Sequence, residues 1–197
     1  MNTSKTLAGL VLCGGQSSRM GTDKGLLQRN GKTWAQLAAD RLKTLQIPVF
    51  ISIYPSQFRL YSTFFPEDQL ITDSLPLRGP LAGLLTAHQC FPQTDWLVCA
   101  CDLPDMTVEI LTRLQQVYLK EADYQCFVFR KEAEWEPLCG IYQAKGLQYI
   151  LDLYRRDKLP RHSMKHVLEV CQTYALDIPD EATWQSFKNY NSAAELE

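Results

Sequence analysis

Apolar residues follow two alternating patterns along the chain. Short runs at 7–12, 48–54, 96–100 and 125–129 read as strands. The unbroken apolarity of 96–100 predicts a strand covered on both faces. Residues 70–72 predict a further, very short strand, and 140–142 the end of another. Between these runs the apolar positions fall on helical stripes at 34–45 (Leu37, Ala38, Leu42, Leu45), 81–90, 108–119, 147–155 and 163–170. Thr107 stands where it can cap the helix beginning at Val108, although no Glu or Gln follows at the third position to complete a capping box. From Glu181 the chain is polar with a few aromatics. Strands separated by helices predict an α/β three-layer sandwich with a mostly parallel central sheet and helices on both faces. There is no internal repeat, low-complexity tract or linker, so residues 1–197 are expected to form a single domain.

Composition narrows the function classes. Of 197 residues, 46% are hydrophobic and 21% charged, and the net charge is −2. That balance provides no basic field for nucleic acid. No run approaches the roughly 18 apolar residues of a membrane span. The apolar run at 7–12 is too short for a signal peptide and reads as a first buried strand. The seven cysteines (Cys13, Cys90, Cys99, Cys101, Cys126, Cys139, Cys171) include no CxxC pair. Most sit in apolar runs, as expected of reduced thiols in a reducing, cytoplasmic compartment.

The sharpest chemical feature follows the first strand directly: Leu12, Cys13, Gly14, Gly15, Gln16, Ser17, Ser18, Arg19, Met20, Gly21, Thr22, Asp23, Lys24. Its glycines allow tight turns and bring backbone N–H groups close to an anion. Ser17 and Ser18 add hydroxyl donors, and Arg19 and Lys24 add positive charge suited to phosphates. Neither GxxxxGK[ST] nor GxGxxG fits this spacing. Two carboxylates stand out beside it. Asp102 ends the buried run that begins at Trp96, at the carboxyl end of a central strand, where open α/β sheets place ligands. Asp73 opens a turn-rich stretch containing Pro76, Gly79, Pro80 and Gly83.

The loop resembles the LAGGxSxRMGxDKxLL motif of the MobA-like nucleotidyltransferases, with Cys13 where alanine is usual. Both residues are small, so the turn is expected to survive. Cys101-Asp102-Leu103-Pro104 is similar to the family's CDxP, and Asp73 with Gly79, Pro80, Leu81 and Gly83 matches its DxxxxxGPLxG segment. Glu136-Pro137-Leu138-Cys139-Gly140-Ile141-Tyr142 resembles the family's EPLxAxY strand, which lines the acceptor side. Asn189 to Leu196 is similar to the terminal NxNTPEDL. The resemblance runs from about residue 7 to 196.

It implies a Rossmann-like fold of the nucleotide-diphospho-sugar transferase type and transfer of GMP from GTP to the terminal phosphate of molybdopterin, with pyrophosphate released. Arg19, Lys24 and Asp102 are the implied catalytic residues. Leu12, Cys13, Gly14, Gly15, Lys24, Asp73 and Asp102 are the implied nucleotide contacts, with Mg2+ on Asp102. GTP and molybdopterin are the implied substrates, with transient contact with molybdoenzymes or their chaperones. The GPLxG segment and the cysteine of CDxP set the chain apart from the CTP-dependent cytidylyltransferases that act on the same pterin. The loop is also compatible with a non-catalytic nucleotide- or cofactor-binding protein and with a sugar-1-phosphate nucleotidyltransferase. Ile53-Tyr54-Pro55 departs from the Asn or Arg common after the second strand. The basic group Arg155, Arg156, Lys158 and Arg161 is read either as a solvated helix end or as a rim for an anionic acceptor. His88, His162 and His166 lack the spacing of a zinc site.

Overall fold

A computed structural model describes residues 6–14 and 23–190. In chain order the elements are β1 (Thr6–Leu12), a small hairpin of β2 (Gln28–Arg29) and β3 (Lys32–Thr33), α1 (Trp34–Lys43), β4 (Val49–Ile53), a short α2 (Phe58–Tyr61) and β5 (Leu70–Thr72). They continue with α3 (Pro80–Cys90), β6 (Thr94–Ala100), α4 (Val108–Lys120), β7 (Cys126–Lys131), β8 (Glu134–Tyr142), α5 (Ala144–Arg155), α6 (Met164–Val170), β9 (Thr173–Asp177) and α7 (Glu181–Gln185).

Seven strands form one sheet in the order β5-β4-β1-β6-β8-β7-β9. β5, β4, β1 and β6 are mutually parallel, β8 runs antiparallel to both β6 and β7, and β9 returns parallel to β7. The sheet is therefore mostly parallel, as the alternation of runs and stripes predicts. One apolar layer packs α1 and α4 on one face through Ala35, Ala38, Leu42, Leu111 and Leu114. The other packs α3, α5 and α6 through Leu81, Leu85, Leu147, Ile150 and Val167. Burial of both sheet faces explains why β1 and β6 read as continuous apolar runs rather than as alternating ones.

Helix starts follow side-chain chemistry. Thr33 and Gln36 form a reciprocal capping box at α1. Thr107 accepts from the Ile110 N–H, as its position predicts. Gly79 precedes α3 with φ 81°, a left-handed conformation that suits glycine, and Pro80 takes the first helical position. Buried Asp95 bridges elements by accepting from the Tyr118 hydroxyl and the Ala144 N–H, each at 2.7 Å.

Candidate active site

The four parallel strands deliver the loop motif and both acidic segments to one edge. Cys13 N–H donates to the Ser52 carbonyl, Asp73 N–H to that of Ile53, and Cys101 N–H to that of Leu12. The ladder thus continues just past the carboxyl ends of β1, β4, β5 and β6. Cys13-Gly14, Tyr54, Asp73 and the segment leading to Asp102 emerge side by side, in the crevice where open α/β sheets hold ligands.

Lys24 and Asp102, 78 residues apart, meet there: Lys24 Nζ lies 3.2 Å from Asp102 Oδ2. Their side chains are 26% and 20% exposed, so the pair is screened from bulk water yet reachable. Asp73, just past the end of β5, accepts from Ser52 Oγ through its Oδ1 at 3.0 Å. Burial raises the Asp73 carboxyl to about 6, against the opposing effect of the Ser52 hydrogen bond. Two glycines leave room for this carboxylate. A Cβ on Gly14 would lie 3.1 Å from Asp73 Oδ2, and one on Gly83 would collide with Ser52 Oγ and lie 3.2 Å from Asp73 Oδ1. The Ser74 N–H donates to Thr86 Oγ1, tying the turn after β5 to α3. Leu12, Cys13, Gly14, Lys24, Asp73 and Asp102 therefore converge on one edge. Gly15 and Arg19 lie outside the described residues.

Around this edge, motif residues meet partners that no motif contains, among them Gln57, Tyr61, Arg29 and Asp105. Asp23 holds the turn at Lys24–Leu26: its Oδ1 accepts from the Gly25 N–H and the Tyr61 hydroxyl, and its Oδ2 from Gln57 Nε2. On the far side, the Asp102 carbonyl accepts from the Tyr190 N–H at 3.0 Å. The Tyr190 hydroxyl in turn donates to Asp105 Oδ2, while Arg29 pairs with Asp105 Oδ1 at 2.6 Å. Of the terminal motif, Asn189 and Tyr190 are described, and Tyr190 packs onto the loop that carries Asp102. Asn191 to Leu196 lie outside the described residues. A cavity of about 400 Å³ lies behind that loop, lined by Arg29, Arg41 and Asp105 among others, and includes neither Lys24 nor Asp73.

Glu136 and Pro137 occupy the antiparallel strand β8, which pairs Cys139 with Cys99. Its continuation places Glu136 along the same sheet edge as Asp102. Burial raises the Glu136 carboxyl to about 7, assisted by Glu134 and opposed by Lys165. Arg155, Arg156 and Lys158 are exposed, and Arg161 pairs with Glu169. His88 is buried against Gln148, and His166 contacts Glu169. No group of three or more His, Cys, Asp or Glu side chains suited to a metal occurs among the described residues.

Comparison with known proteins places the chain in a family. Residues 9–172 match the family described as the MobA-like NTP transferase domain. A probable molybdenum cofactor guanylyltransferase of Flavobacterium johnsoniae is 30% identical, covering 98% of this chain and 95% of its own length. A molybdenum cofactor biosynthesis bifunctional protein of Synechocystis is 34% identical over 142 residues, covering 72% of this chain but only 40% of that longer protein. The crystal structure of molybdopterin-guanine dinucleotide biosynthesis protein A from Archaeoglobus fulgidus superposes with a TM-score of 0.75 at 20% identity, covering 96% of this chain and 94% of that one. This last likeness is one of fold.

Proposed function

The chain belongs to the MobA-like NTP transferase family, and from that premise we propose that it transfers GMP from GTP to the terminal phosphate of molybdopterin, releasing pyrophosphate. The observation that carries this reading is the meeting of Lys24 and Asp102 at 3.2 Å on the carboxyl edge of the sheet. A cation and a metal-binding carboxylate side by side are what phosphoryl chemistry requires: charge neutralisation for phosphate oxygens and alignment of attacker with leaving group. The choice of guanine draws on the GPLxG segment, the Cys101-Asp102 pair and the relatives named above.

Asp102 offers hard oxygen donors beside Lys24. That donor set fits a magnesium ion, which is held by one or two carboxylates and fills its remaining positions with substrate phosphates and water. Asp102 would hold the ion, which when bound supplies charge neutralisation on the phosphate oxygens. The chain's own groups do the rest. Lys24 places a positive charge against the triphosphate, joined in this reading by Arg19 and the backbone of Gly14-Gly15. Asp73, fixed by Ser52, orients the nucleoside. The acceptor phosphate is already anionic, so its attack on the α-phosphorus calls for no general base. The whole chain acts as one nucleotidyltransferase domain and hands its product to a molybdoenzyme or its chaperone. Its free cysteines, most of them buried, support a reducing, cytoplasmic site of action. No helix among the described residues is long and apolar enough to cross a membrane.

A nucleotide panel tests the proposal. Purified protein with magnesium and molybdopterin should release pyrophosphate from GTP well above the rates with CTP, ATP or UTP. A preference for CTP would replace the base and keep the reaction. Saturable GTP binding without pyrophosphate release would leave a binding protein and refute the reading.

A further inference from the structure

We propose that Gln57 and Tyr61, neither of them in the glycine-rich motif, are positioning residues for Lys24 that act through Asp23. The inference rests on the role of Lys24 given above.

Lys24 begins a single turn, Lys24–Leu26, and Asp23 caps it: the Asp23 carboxylate accepts from the Gly25 N–H at 3.0 Å. The Asp23 carbonyl closes the same turn by accepting from the Leu26 N–H. The backbone from which the lysine projects is therefore set by where Asp23 sits. Two side chains from another part of the chain decide that. Gln57 Nε2 donates to Asp23 Oδ2 at 2.6 Å and to the Cys13 carbonyl at 3.3 Å, while its Oε1 accepts from the Tyr54 N–H at 2.6 Å. One amide thus joins the ends of β1 and β4 to the residue before Lys24. Tyr61, fully buried, donates its hydroxyl to Asp23 Oδ1 at 3.0 Å. That hydroxyl also fills the space beside Gly25, where a Cβ would collide with it.

Three donors from two chain segments consequently converge on one carboxylate. Asp23 is engaged by these donors rather than open to a metal, unlike Asp102. The arrangement braces a flexible ammonium chain from its root. A displacement of about 1 Å at a reacting group can lower the rate about 100-fold, and supporting hydrogen bonds are what prevent such looseness.

The test combines rate measurements with an exchange of donor and acceptor. Pyrophosphate release from GTP, with magnesium and molybdopterin, is measured for Tyr61→Phe, Asp23→Asn, Gln57→Glu and the Asp23→Asn/Gln57→Glu double variant. Asp23→Asn sets two amide donors against each other, and Gln57→Glu sets two carboxylates against each other. The double variant restores one donor and one acceptor between the two side chains and keeps the acceptors for Gly25 and Tyr54, while giving up the donor to the Cys13 carbonyl. Each single variant should lower kcat by about 10–100-fold while the KM for GTP changes by no more than about twofold. The double variant should regain part of the lost rate. In a Lys24→Ala background, Tyr61→Phe should change the rate by no more than about twofold, because the two act as one unit.

The inference is overturned if the single variants turn over like wild type while Lys24→Ala does not. It is also overturned if the Tyr61→Phe loss persists undiminished in the Lys24→Ala background, or if the exchanged pair recovers nothing. Wild-type turnover by Lys24→Ala itself would instead remove the reading of the site, and this inference with it.

Discussion

Replacing Asp73 with asparagine should stabilise the protein at neutral and alkaline pH while weakening its nucleotide site. The amide is isosteric with the carboxylate and keeps an oxygen to accept from Ser52 Oγ, so the hydrogen bond at 3.0 Å survives. What disappears is the desolvated charge. Burial raises this carboxyl from its ordinary 3.8 to about 6. Because the folded protein holds the proton more tightly than the unfolded chain, stability is full below about pH 4 and falls as pH rises through about 6. At about 1.4 kcal/mol per pH unit the interval corresponds to about 3 kcal/mol. Partial solvation of the half-buried group reduces this to about 2 kcal/mol. For a chain of this length that is about 4–8 °C in Tm. Thermal melts of both proteins from pH 4 to 8 check it, and the difference between the two curves isolates Asp73 from other titrating groups. The Asp73→Asn protein should gain on wild type across pH 4–6 and hold a constant lead above pH 7, with a higher Kd for GTP. Parallel curves, or a less stable variant at pH 8, would refute the account of a buried, destabilising carboxylate.

Other substitutions test separate parts of the structure. Gly25→Ala should lower stability by about 1–3 kcal/mol, because the new Cβ would collide with the Tyr61 hydroxyl. Adding Tyr61→Phe removes that oxygen and should recover part of the lost Tm in a melt. Tyr118→Phe leaves a buried Asp95 oxygen without its 2.7 Å partner. It should cost about 1–3 kcal/mol in urea unfolding with no change in the KM for GTP, since Asp95 lies at the opposite end of β6 from Asp102.

The chemistry was legible where it is local in the chain. Lys24, Asp73 and Asp102 each sit in a short motif at the end of an apolar run, and parallel pairing brings strand ends together. The brace on Asp23 was hidden because Gln57 and Tyr61 lie 34 and 38 residues away in a stretch that carries no motif. The first half of β8 was hidden by Pro137. It falls where the pairing of β7 with β8 shifts register, an irregularity that tolerates a residue with no N–H to donate. Strand β9 has too short an apolar run to declare itself and, among the described residues, pairs with β7 at the sheet edge. The hairpin of β2 and β3 has strands too short for any alternation. Asn30 and Gly31, with φ of 54° and 76°, are nonetheless the Asn-Gly pair of a two-residue hairpin turn. The Tyr190 contact with the Asp102 carbonyl is a backbone hydrogen bond, which residue type does not announce.

The central claim is that Asp102, beside Lys24, serves the chemistry of nucleotidyl transfer. Its most direct test is molybdopterin-dependent pyrophosphate release from GTP by Asp102→Asn, with folding monitored by circular dichroism. Loss of one such electrostatic group predicts a fall of about 100–1,000-fold in kcat with the fold intact. Turnover equal to wild type in the folded variant would contradict the account.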